Sequence, residues 1–126
     1  DTIGAANPSS VGLLFKSCVD EFGHEILSGH FHDTRAMALA NVCAALNEGV
    51  RKFDSCIGGL GGCPFAPGAA GNLATEDLAN MLDQMGYTTN IDLKKLSKVV
   101  LFCEDMLNAS LGGRMSAWLN KTNKAS

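Results

Sequence analysis

The stretch EILSGHFHDTRAMALANVCAALNEGVRKFDSCI, Glu25–Ile57, carries the reading on which the fold rests. Glu25–His32 is short, apolar in its first half and bounded by turn formers, which predicts a strand. Asp33 or Thr34 then caps a helix through Met37, Leu39, Ala40, Val42, Cys43 and Leu46, and Gly49 closes it. Val50–Ile57 predicts a second strand. A helix of this length is long enough to cross over between two strands of one sheet, and such crossovers are right-handed in nearly every case. The two strands are therefore expected to be parallel neighbours.

Working outward, the same alternation continues. Pro8 suits a first helical turn with Asn7 as its cap, and Val11, Leu14, Phe15, Cys18, Val19 and Phe22 recur at helical spacing until Gly23. Beyond the second strand, GGLGGCPFAPGAAGN, Gly58–Asn72, reads as a loop. Thr75-Glu76-Asp77 opens a further helix with a polar cap and an acidic first turn, its apolar face being Leu78, Met81, Leu82 and Met85 before Gly86. Asp92 caps another, with Leu93, Leu96, Val99, Val100, Cys103, Met106 and Leu107 as its buried face. The tail from Gly112 holds the single tryptophan, Trp118, and ends polar.

This grammar is that of α/β proteins with a parallel sheet. A two-stranded parallel sheet makes a poor domain, because parallel strands are normally buried on both faces within larger sheets. The opening Asp1–Pro8 also reads as a loop leading into a helix, without the strand that such grammar places before it. The chain is thus expected to be part of a larger α/β protein.

Composition narrows the function classes. The 126 residues are 46% hydrophobic and 18% charged with a net charge of −3, which predicts one soluble globular unit. Lys and Arg are scattered, so nucleic acid is not an expected partner. No apolar run approaches the ~20 residues that span a bilayer, and no secretory leader opens the chain, so neither membrane insertion nor secretion is expected. The five cysteines are odd in number and form no C-x-x-C pair, which favours a reducing interior.

Two segments carry chemistry. His30-Phe31-His32 ends the first predicted strand, and its period of two puts both imidazoles on one face, where they could chelate one metal. α/β sheets and barrels place ligands at these C-terminal strand ends. Asp33 beside the pair is either a carboxylate orienting an imidazole or the cap of the next helix. The loop after the second strand is long for a compact domain and reads as a lid or binding loop shaped by Pro64 and Pro67, with Cys63 accessible inside it. Cys18, Cys43, Cys56 and Cys103 are expected to be buried and structural. Asn72 ends the loop, as a turn residue or as a hard oxygen ligand.

HFHDT with the following MALAN, and GGLGGCPFAPGAAGN with the adjoining LATEDL, resemble the C-terminal part of the 3-hydroxy-3-methylglutaryl-CoA lyase family. Asp1-Thr2-Ile3-Gly4 is similar to that family's segment at the end of the sixth barrel strand. The resemblance implies a (β/α)8 TIM barrel, with residues 1–126 supplying about two to three βα units and C-terminal helices of a single domain whose N-terminal strands are absent. It implies a divalent cation, Mg2+ or Mn2+, held by His30, His32 and Asn72 with an aspartate from the missing first strand. It implies that Cys63 and Asp1 are catalytic, and that an arginine and a glutamate from the missing strands complete the site.

The implied reaction is retro-aldol cleavage of the acyl-CoA substrate to acetyl-CoA and acetoacetate, in bacterial cytoplasm or the mitochondrial matrix. The complete protein would be a homo-oligomer, and the isolated chain inactive. Ala36 departs from the family's H-D-T-x-G pattern, which is tolerable unless the position needs positive φ. A related aldolase or condensing synthase would share His30 and His32 without needing Cys63, and a non-catalytic α/β fragment would need neither.

Overall fold

The computed structural model describes residues 1–62 and 71–123, which fall into two compact units. The first comprises Asp1–Ser55 and Gly61–Leu73 and contains α1 (Pro8–Phe22), β1 (Gly29–His30), α2 (Ala38–Asn47) and β2 (Phe53–Asp54). The second comprises Cys56–Leu60 and Ala74–Ser126 and contains a 3-10 turn (Ile57–Gly59), α3 (Thr75–Gln84), α4 (Leu93–Leu107) and α5 (Arg114–Asn123).

In the first unit β1 and β2 are parallel, in the register Gly29 to Phe53 and His30 to Asp54, with α2 crossing between them. The expected strands over 25–32 and 50–57 contract to two residues each. Upstream of β1 the chain is still turning, with Leu27 N–H bonded to the His24 carbonyl, and before β2 the Val50 N–H still serves the end of α2 through the Ala45 carbonyl. Both segments are thus committed elsewhere until Gly29 N–H reaches the Lys52 carbonyl at 2.9 Å.

Gly29 is there because nothing larger fits. A Cβ at this position would stand 2.8 Å from Phe31 Cε2 and 2.9 Å from Phe53 Cδ1. Phe31 is buried and meets Phe15 of α1 edge to face, ring centroids 6.4 Å apart, a contact worth about 0.5–1.5 kcal/mol beyond area burial. Val11 from α1 and Ala38, Val42, Ala45 and Leu46 from α2 complete this core.

α1 begins as the sequence predicts, with Asn7 and Ser10 in a reciprocal capping box. Its buried stripe is narrower than expected. Leu14 and Phe22 remain 62% and 57% exposed, because α2 covers only the flank of α1 that carries Val11.

The second unit is organised by Glu76, expected only to suit the dipole of α3. It is fully buried, accepting from Gly58 N–H at 3.0 Å and from the Ser116 hydroxyl at 3.2 Å. Asp77 leaves its own helix as well and accepts from the Arg114 and Met115 N–H groups, capping α5, a helix that the polar tail did not predict. Asp92 does cap α4, through the N–H groups of Lys94 and Lys95.

α4 buries Ser97 and Val100 against α5, where Ser97 donates to Asn120, so Val99, Met106 and Leu107 from the expected apolar face stay exposed. Met85 is exposed too, because α3 ends at Gln84 and leaves it as the cap. The four cysteines expected to be buried, Cys18, Cys43, Cys56 and Cys103, are all partly exposed instead and form no disulfide, lying at the margins of the packed faces.

Candidate functional site

The end of β1 gathers most of the candidate residues. Phe31 is drawn into the core, so the flanking His30 and His32 share the opposite side of the strand, with ring centroids 5.4 Å apart. The two differ sharply in environment. The His30 side chain is half-exposed, whereas His32 is buried at 6% exposure.

Past β1 the chain pairs with the far end of the glycine-rich segment. Leu73 N–H donates to the Phe31 carbonyl, Asp33 N–H donates to the Gly71 carbonyl, and His32 and Asn72 form an antiparallel bridge. Asn72 also hydrogen-bonds the His32 ring through its side chain. The chain passes so close to the Asn72 amide at Gly61 (φ +93) that a Cβ there would lie 2.8 Å from Nδ2. Glycine is required at that point on both counts.

Burial is the main cause that lowers the His32 pKa below its ordinary value. The neighbouring His30 pushes the same way, and the hydrogen bond with Asn72 opposes them.

Asp1 lies beside this strand end, its main-chain nitrogen donating to the His30 carbonyl at 2.9 Å. Asp1 Oδ1 accepts from Ala5 and Ala6 N–H, and Asn41 of α2 steadies that loop by donating to the Ala6 carbonyl. Three polar atoms here are buried without a hydrogen-bond partner among the described residues, Asp1 Oδ2, His32 Nδ1 and Asn41 Oδ1. Buried polar atoms are normally satisfied, so such orphans call for a ligand.

Asp33 takes the capping alternative, its Oδ1 accepting from Ala38 N–H, the first residue of α2. The carboxylate that does meet an imidazole is Asp54 of β2, whose Oδ2 lies 3.1 Å from His30 Nδ1. Asp54 was not singled out in the sequence, and the signal available was the parallel register, which puts it directly opposite His30. Cys63, the other catalytic candidate, lies outside the described residues. Ala36 adopts φ +57, so the position does need the left-handed conformation that glycine takes freely.

Among the described residues no three His, Cys, Asp or Glu side chains form a metal-binding group. The fit of an ion to this chain rests on two imidazoles and the Asn72 amide. With metal–nitrogen bonds of about 2 Å and a ring radius of roughly 1 Å, two imidazoles on one ion have centroids within about 6 Å of each other. The observed 5.4 Å meets this condition, and His32 Nδ1 has its lone pair or proton uncommitted.

The profile of the HMGL-like family matches residues 1–102. The hydroxymethylglutaryl-CoA lyase of Pseudomonas mevalonii is 47% identical over 125 residues, 99% of this chain and 38% of that protein. An (R)-citramalyl-CoA lyase of Chloroflexus aurantiacus is 40% identical over 96% of this chain and 37% of its own length. The crystal structure of the HMG-CoA lyase of Bacillus subtilis superposes with a TM-score of 0.91 at 44% identity, over 95% of this chain and 40% of that one. The chain therefore spans about two fifths of the length of these relatives. The βα units seen here are those of their (β/α)8 barrel.

Proposed function

We propose, from the premise that the chain belongs to the HMGL-like family, that it forms part of a divalent-cation-dependent carbon–carbon lyase. The substrate is 3-hydroxy-3-methylglutaryl-CoA and the products are acetyl-CoA and acetoacetate. The observation that carries this reading is the convergence of His30, His32 and Asn72 at the end of β1, where the Asp1 main-chain nitrogen bonds the His30 carbonyl. In the complete protein, residues 1–126 belong to a single barrel domain in the bacterial cytoplasm or the mitochondrial matrix. No helix among the described residues is long and apolar enough to cross a membrane.

His30, His32 and Asn72 would hold Mg2+ or Mn2+. When bound, the cation supplies Lewis-acid polarisation of the substrate's tertiary hydroxyl, which lowers its pKa. Asp1 Oδ2, buried and unpartnered, is the acceptor for that hydroxyl proton. As the hydroxyl becomes a ketone, the bond between the carbinol carbon and the carbon next to the thioester breaks, and the electron pair moves onto the thioester as an enolate. Cys63 donates the proton that converts this enolate to acetyl-CoA. Asn41 and the Ala5 and Ala6 N–H groups keep Asp1 oriented through the cycle.

The site is shared with residues beyond this chain, so the isolated chain binds the cation but does not turn over. The test is Mn2+ binding followed by electron paramagnetic resonance, together with a cleavage assay on the thioester. Binding by the wild-type chain that is lost in His30→Ala and His32→Ala, without cleavage, is the expected result. Binding indifferent to both substitutions refutes the metal reading, and robust cleavage refutes the shared site.

A further inference from the structure

We propose that Asp54 is a positioning residue for His30, holding its ring in the tautomer whose Nε2 lone pair is free for the cation; this rests on the metal reading given above. A carboxylate can only accept a hydrogen bond, so at 3.1 Å from Asp54 Oδ2 the His30 Nδ1 must donate. With the proton fixed on Nδ1, the lone pair of the neutral ring resides on Nε2. Imidazoles that bind metals generally have their second nitrogen bonded in this way, which settles both tautomer and ring orientation.

The arrangement follows from backbone geometry rather than from a chance encounter of side chains. His30 and Asp54 are register partners across the parallel pair, so their side chains leave the sheet on the same face as neighbours. The pair is half to two-thirds exposed, and an exposed ion pair contributes little to stability. Orientation is what remains for it to do. Asp33, the nearer carboxylate in sequence, is occupied by the N–H of Ala38. The His32 ring has the Asn72 side chain as its hydrogen-bond partner in place of a carboxylate.

The experiment uses the full chain labelled with 15N-histidine, at about pH 8.5, two units above the ordinary imidazole value. Long-range 1H–15N correlation reads the His30 tautomer, and Mn2+ titration reads affinity. In the wild type His30 carries its proton on Nδ1. Asp54→Ala releases the ring to the Nε2–H form that free histidine favours and weakens Mn2+ binding about 10–100-fold. Asp54→Asn, whose amide oxygen still accepts, restores both.

An unchanged tautomer in Asp54→Ala overturns the proposal, as does a shifted tautomer with undiminished affinity. Loss of Mn2+ binding in Asp54→Asn with the tautomer kept also overturns it, by making Asp54 a ligand or a charge partner. Wild-type binding indifferent to His30→Ala and His32→Ala removes the metal reading and the proposal with it. That failure is distinguishable, because the tautomer of Asp54→Ala still shifts.

Discussion

Ala36→Gly should stabilise the chain. Ala36 sits at φ +57 at the end of the turn in which its N–H bonds the Asp33 carbonyl at 3.0 Å, two residues before α2 begins. A Cβ in the left-handed region costs roughly 1–2 kcal/mol, and glycine does not bear this cost. Glycine instead loses more freedom on folding, a penalty of about 0.4–1 kcal/mol. The methyl group of Ala36 is exposed, so its removal forfeits no packing. Taking the middle of each range, the net gain is roughly 0.5–1 kcal/mol. With a urea m-value of about 1–2 kcal/mol/M, the unfolding midpoint followed by far-ultraviolet circular dichroism rises by roughly 0.25–1 M. Ala36→Val is the opposite control, since a β-branched residue is least tolerant of positive φ and should lower the midpoint. A glycine variant with a midpoint at or below that of the wild type refutes the reasoning, and so does a valine variant equal to the wild type.

Gly29→Ala should destabilise by about 1–3 kcal/mol through the clash of its Cβ with Phe31 and Phe53, and a thermal melt matching the wild type would exclude that packing. Glu76→Ala strands the buried Gly58 N–H, at a cost of about 1–3 kcal/mol in urea unfolding monitored by Trp118 fluorescence. Glu76→Gln, which still accepts at one atom, should lose less. The lowered pKa of His32 means that the unfolded chain binds its proton first, below about pH 6.5, so stability falls with pH from there until the folded-state value is passed. The difference in urea midpoint between wild type and His32→Gln should narrow across that window, and a difference independent of pH would show that burial does not disfavour the charged ring.

What was legible in the sequence was whatever depends on local rules. Asn7 and Asp92 cap their helices because short polar side chains before an apolar period have little else to do there. The H-x-H pair falls on one side of its strand because alternation is intrinsic to extended backbone. The helix between the strands was sufficient for the parallel crossover. What escaped depends on partners distant in sequence. Glu76 and Asp77 look like first-turn acids and obey the dipole rule in composition, yet their oxygens serve Gly58, Ser116 and the start of α5, up to 40 residues away. The exposed flanks of α1 and α4 failed for the same reason, since an apolar stripe records which residues can be buried but not how wide the covering neighbour is.

The candidate site divides along the same line, and this bears on how it assembles. His30, His32 and Asn72 were nameable one by one from residue type and position. Their convergence is set by two pairings that no local rule contains, the parallel register of His30 with Asp54 and the antiparallel bridge of His32 with Asn72. Each imidazole is thus governed by a different partner segment, β2 for the exposed ring and the far end of the glycine-rich segment for the buried one. A shift of one residue in either pairing would turn its partner side chain to the opposite face and leave one histidine unoriented. The observed pairing depends on Gly29 and Gly61, since a Cβ would stand 2.8 Å from Phe31 Cε2 at the first and 2.8 Å from Asn72 Nδ2 at the second. The geometry at the end of β1 is therefore a property of strand pairing first and of side-chain chemistry second, which is why a substitution at Gly29 should disturb cation binding without touching a ligand, whereas one at Gly61 should do so by crowding the Asn72 amide.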